Sequence, residues 1–136
     1  MSLSNIAETD IVGLLFNNTA LNAAYSTNLY VSLHTADPGE AGTQSTSEAT
    51  YTGYARATVV RSAGGWTVAN NVASNAAIVN FPECTAGTNT ITHVGIGTTA
   101  SGTGRLIASG TVTPNVSVAT GVTVSFAIGA LTFSLD

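Results

Sequence analysis

The sequence contains no lysine and only one cysteine, and 7% of its 136 residues are charged. Its cations are Arg56, Arg61 and Arg105, set against seven carboxylates for a formal net charge of -4. Affinity for a nucleic-acid backbone comes from clustered Lys and Arg, so a phosphate-tracking role is disfavoured and no nucleic-acid partner is expected. A lone cysteine, Cys84, excludes an intrachain disulfide and a multi-cysteine zinc site. With no cation beside it to lower its pKa, Cys84 reads as a small buried hydrophobe. No apolar run approaches the roughly 18 residues of a membrane span, and the first residues lack the basic and apolar regions of a signal peptide. The chain is therefore expected to be soluble and unprocessed, with no membrane partner. Also missing are G-x-S-x-G, the P-loop, G-x-G-x-x-G after a strand, and H-E-x-x-H. The expectation is a protein with no catalytic residue, metal or cofactor.

Apolar residues make up 44% of the chain, enough to build a core, and the length suits one domain over residues 1–136. The place of charge is taken by hydroxyls, with 22 Thr and 13 Ser. Threonine favours strands and solvates a surface without charge, a composition associated with assembled, extracellular or virion-type β proteins.

Ser4 is positioned to cap a helix whose apolar residues Ala7, Ile11, Leu14 and Leu15 recur at helical spacing, with Glu8 and Asp10 in its early turns. That helix is expected to end near Asn17-Asn18, within an N-terminal segment of residues 1–27. Beyond it the periodicity is two. Leu29, Val31 and Leu33 alternate with Tyr30, Ser32 and His34, and Asp37-Pro38-Gly39 turns the chain. Gly42 to Thr50 is almost wholly polar and reads as a functional or mobile loop that a core cannot use. Further strands are expected over Tyr54–Arg61, Trp66–Val68, Ala77–Phe81, Ile91–Gly97 and Leu106–Val112. The clearest alternation is Val122, Val124, Phe126 and Ile128, followed after Gly129-Ala130 by Leu131, Phe133 and Leu135. About eight short strands separated by Gly and Pro predict an all-β fold: an antiparallel, jelly-roll-like β-sandwich with one short N-terminal helix.

Among residues able to do chemistry, His34, Asp37 and Glu40 lie close in sequence, but an Asx turn at Asp37 and a paired histidine account for them. His93 reads as a hydrogen-bonded strand residue. The glycines of Gly95-Ile96-Gly97 and Gly102-Thr103-Gly104 read as strand-end and turn positions. Arg56 is expected to organise the loop carrying Asp37, Glu40 and Glu48, or to lie at an interface. The interface candidates are Arg56, Arg61, Trp66 and Tyr54, since Arg and aromatic residues are enriched at hot spots.

The order of segments carries more than any one residue. Leu29-Tyr30-Val31-Ser32-Leu33-His34-Thr35-Ala36-Asp37-Pro38-Gly39, then Tyr54-Ala55-Arg56, Val94-Gly95-Ile96, and Ala130-Leu131-Thr132-Phe133-Ser134-Leu135-Asp136 resemble a family of small tailed-bacteriophage structural proteins. The resemblance spans nearly the whole chain, and the polar insertion at Thr43 to Thr50 departs from it. It implies a virion protein, either a capsid decoration (cement) protein or a tail-fibre component. The first reading makes the chain a homo-oligomer stabilising the outer shell, with the major capsid protein as partner. The alternative is a tail-tip or tail-fibre protein contacting the host receptor through the Gly42 to Thr50 loop and the Tyr51/Tyr54 pair. The chain has no heptad or collagen-like shaft, which favours decoration.

Overall fold

The computed structural model describes residues 1–135; Asp136, the last residue of the closing motif, lies outside the described residues. Among them are ten strands and one helix: β1 (Ser2–Leu3), α1 (Asn5–Phe16), β2 (Asn28–His34), β3 (Ala57–Val60), β4 (Trp66–Ala69), β5 (Val72–Asn75), β6 (Val79–Asn80), β7 (Asn89–Gly97), β8 (Leu106–Val118), β9 (Ser125–Phe126) and β10 (Thr132–Ser134). The largest sheet is antiparallel, in the order β1-β8-β7-β2-β3.

The expected all-β character is present, but the continuous second sheet of a jelly roll is not. Facing strands form two separate pieces, β10-β5-β4 and β6-β9. A side chain stands where a ladder would have joined them. The buried Asn75 amide donates to Ala77 O at 2.7 Å and Ala127 O at 2.8 Å, and accepts from Leu131 N at 2.9 Å. These bonds satisfy the backbone of a bend, so the alternation from Val122 to Ile128 yields only the two residues of β9 in strand form. One core nonetheless joins the layers, with Val31, Leu33 and Ile96 of the large sheet meeting Trp66, Phe81 and Leu131.

Two further boundaries differ from expectation. β8 runs on through Pro114 to Val118, because the pairing with β7 shifts register between Ile91 and His93. Proline lacks the ladder N–H and is tolerated at such an irregularity. Tyr54–Arg56 is not strand; β3 begins at Ala57, whose side chain is buried like that of Val59.

α1 starts as expected. Ser4 accepts from Ala7 N at 3.4 Å and also donates to Leu106 O, tying the cap to β8. Asp10 anchors the middle of the helix, receiving Arg105 Nη1 at 2.5 Å and Tyr25 OH at 2.8 Å. Burial and the Asp10 carboxylate together push the Tyr25 phenol up to about 12. The apolar residues of the helix are mostly not covered by this chain. Only Ala7 is buried on α1, and Leu14 and Leu15 are exposed, because β8 meets the helix along the face of Ala7 and Asp10.

Candidate functional site

At one end of the large sheet, the chain between β2 and β3 folds against the turn between β7 and β8, forming a polar head. The segment at Gly42 to Thr50, expected as a loop with no use for the core, is built around a buried glutamine. Gln44 has no exposed surface. Its Oε1 accepts from Thr98 N and Thr99 N, both at 3.0 Å, and from Thr99 Oγ1 at 3.2 Å, while Nε2 donates to Tyr30 O at 3.4 Å. The side chain fits because its neighbours are glycines. A Cβ on Gly97 would fall 2.0 Å from Gln44 Cδ, and one on Gly104 2.0 Å from Oε1. These are the glycines read from sequence as turn and strand-end positions; their closeness to Gln44, more than 50 residues away along the chain, carries no signal in the sequence.

Arg56 supplies the second tie. Each of its five N–H groups has an acceptor: Nε to Glu48 Oε1 at 2.6 Å, Nη2 to Glu48 Oε2 at 2.8 Å and Gly102 O at 2.7 Å, and Nη1 to Thr99 O at 3.0 Å and Thr99 Oγ1 at 3.1 Å. The fork grips one loop by its carboxylate and the other by its carbonyls. The expectation that Arg56 organises a loop holds for Glu48. It does not extend to Asp37 and Glu40, since Asp37 closes its own Asx turn on Gly39 N at 2.9 Å. Arg56 is buried, and its guanidinium is fully engaged by these two loops.

His34 is the third tie. Its Nδ1 faces Thr46 O at 2.8 Å and must carry the proton, so Nε2 accepts from the Ser32 hydroxyl at 2.8 Å. Burial lowers the His34 pKa, opposed by the hydrogen bond to Thr46. A hydroxyl and an imidazole at this spacing resemble a nucleophile and base. Neither side chain has exposed surface, and a Cβ on the facing Gly95 would lie 2.7 Å from Nε2, so the pair serves to hold the loop. The register sets His93 directly opposite His34 on β7, a proximity invisible in the sequence. His93 is half-buried and contacts Thr92 Oγ1 at 2.8 Å.

The Tyr51/Tyr54 pair, expected to face outward, turns inward instead. Tyr51 packs edge-on against Tyr54 at 5.4 Å, and Tyr54 lies nearly parallel to Phe81 at 6.3 Å. Tyr54 OH accepts from Leu33 N at 3.0 Å and donates to Glu48 Oε1 at 2.9 Å. Burial raises the pKa of both phenols, most strongly for Tyr54. What the head presents to solvent is neutral and hydroxyl-rich: Ser45, Ser47, Ser101 and Thr103 are exposed, and Ser45 Oγ bonds Gly102 O at 2.9 Å across the two loops.

The other two interface candidates meet elsewhere. Arg61 and Trp66 line an open cleft of about 540 Å³ between the large sheet and the β10-β5-β4 piece, with Leu29, Ile107 and Phe133 among its walls. Trp66 is buried and its Nε1 has no acceptor among the described residues. Cys84 is buried, with Sγ 3.3 Å from Ala86 O. Among the described residues no group of three or more His, Cys, Asp or Glu could hold a metal ion, and no helix is long and apolar enough to cross a membrane.

The arrangement is a hydroxyl-rich surface of loops held in place by Gln44, Arg56 and His34. Comparison with curated proteins found no match. A family model described as podophage GP4 fiber I protein gp80 matches residues 2–134, almost the entire described chain. The chain therefore belongs to the podophage GP4 fiber I protein gp80 family, and its β-rich fold is that of a bacteriophage structural protein.

Proposed function

We propose that this chain is a fibre-type component on the outside of a tailed-phage virion, whose hydroxyl-rich head contacts the host surface. Membership of a fibre protein family over residues 2–134 carries the reading. The architecture of the head supports it. A binding loop loses affinity to the entropy of ordering itself, and loops already held by Gln44, Arg56 and His34 avoid much of that cost. Hydroxyls without charge suit a neutral or glycan surface, which offers hydrogen bonds and no fixed ions. On this reading the chain acts by binding and positioning, in several copies per particle, and catalyses no reaction.

Two measurements test it. Excess purified protein is expected to compete with phage adsorption, and unchanged adsorption at saturating protein would overturn the host-contact role. Quantitative mass spectrometry of purified virions is expected to give a small copy number relative to the major capsid protein. Hundreds of copies would instead favour the decoration role, with the major capsid protein as partner.

A further inference from the structure

Two apolar surfaces of this chain have no cover within it, and they differ in shape. The convex one is the outer side of α1. Val12, Leu15 and Phe16, spaced i, i+3 and i+4, are 55%, 69% and 80% exposed. An ordinary surface helix sets charge on its outward side, whereas here Glu8 near the start is the sole charged residue on that side of the helix. These three side chains leave on the order of 400 Å² of apolar surface open, comparable with the largest patch on a typical monomer.

The concave one is the cleft of about 540 Å³ between the sheets, walled by Leu29 and Ile107 on one side and Trp66, Ala73 and Phe133 on the other. A cavity of roughly 150 Å³ accepts a benzene ring, so this one has room for about three large side chains. At its lining stands Arg61. Arg56 and Arg105 are each paired with a carboxylate, but the Arg61 side chain makes one hydrogen bond, from Nε to Ser26 O at 2.6 Å, and no ion pair among the described residues. The end of α1 has the complementary deficit. Its last turn holds no basic residue, while the final carbonyls of a helix carry partial negative charge and bind arginine readily.

We propose that the Val12, Leu15 and Phe16 knob of one copy seats in the inter-sheet cleft of a second copy, where Arg61 meets the carbonyl end of the helix. The contact is heterologous, knob into hole, and leaves each chain with one free knob or one free cleft until a ring closes. Each contact buries about half of the roughly 800 Å² per partner of a stable interface. An isolated pair is therefore weak, and a closed ring, in which every chain is held twice, is firm. The proposal rests on the reading of the chain as a multi-copy virion component.

Sedimentation velocity of the full chain across about 1–100 μM tests it. The wild-type chain is expected to associate. Phe16→Asp, at a position 80% exposed and so safe for folding, is expected to weaken association about tenfold or more, and Ala73→Trp, which fills the cleft, to do the same. Arg61→Ala, at an exposed position, is expected to weaken it a few fold. The discriminating sample is the equimolar mixture of Phe16→Asp and Ala73→Trp: one variant retains a cleft and the other a knob, so a heterodimer is expected. A wild-type chain that stays monomeric at 100 μM, or a folded Phe16→Asp chain that associates like wild type, overturns the proposal. Association of Ala73→Trp alone would mean helix-to-helix pairing and overturns it as well. If Ala73→Trp fails to fold by circular dichroism, Arg61→Ala decides: association unchanged from wild type refutes the cleft. Adsorption competition is a separate readout, so a host-binding protein that does not self-associate would overturn this contact alone.

Discussion

Replacing Arg56 by alanine probes the polar head at its most connected point. The arginine side chain is 2% exposed and its Glu48 partner 18% exposed, so the pair lies mostly out of water. Without the guanidinium, Glu48 keeps only the Tyr54 hydroxyl, the Thr99 carbonyl loses its donor, and the Gly102 carbonyl keeps only Ser45 Oγ. Removing one partner of a buried pair costs about 3–5 kcal/mol, chiefly because the other charge is stranded. Residual exposure of Glu48 and access of water to the vacated space favour the lower end, about 3 kcal/mol. For a domain of this size that corresponds to a fall in Tm of roughly 10–15 °C. Arg56→Lys keeps the charge but cannot reproduce the fork, and is expected to lose about half as much. Urea unfolding followed by the fluorescence of Trp66, the sole tryptophan, measures all of these variants. The Ser and Thr side chains of the 43–50 loop serve as comparison, each expected to cost less than about 1.5 kcal/mol on truncation. If Arg56→Ala lost under 1 kcal/mol, or less than Thr46→Ala, the head would not depend on this network and the reasoning would fail.

Gln44→Ala is expected to cost about 2–4 kcal/mol, since it opens a cavity and orphans the N–H of Thr99, while Thr98 N–H keeps only the Arg105 carbonyl. Gly97→Ala should be severe in the wild-type chain and much milder beside Gln44→Ala, where the clash is gone; a cycle showing simple additivity would refute the fit of glutamine against glycine. His34 gives a pH dependence. Its folded pKa lies below the ordinary 6.5, so the unfolded chain binds the proton more tightly, and stability present above pH 6.5 declines as the pH falls below it toward 5. Denaturation at pH 7.5 and 5.5 is expected to show that loss and to show it reduced in His34→Gln; equal slopes in both proteins would count against a buried neutral imidazole.

Legibility from sequence followed the range of the interactions. The start of α1 was readable because Ser4 caps it within one turn, and β2 because Leu29, Val31 and Leu33 alternate over seven residues. β5 was missed, since Val72–Asn75 has no alternation of burial and is held by neighbours on both sides, Trp66–Ala69 and Thr132–Ser134. Arg56 was recognised as an organiser from its rarity, although its carbonyl partners lie 43 and 46 residues away. Gln44 was passed over because a glutamine in a Ser/Thr-rich stretch has the composition of a solvated loop.

The sequence alone determined the β-rich character, the helix start and the turn at Asp37-Pro38-Gly39, all of which depend on residues within a turn or a strand of one another. Only the tertiary structure decided that the outer layer splits at Asn75, that the polar loop is anchored by Gln44 and Glu48, and that Leu15 and Phe16 face outward. Those outcomes depend on which distant backbone groups need a partner and which face of an all-round apolar helix the sheet covers first. Local periodicity carries no record of either.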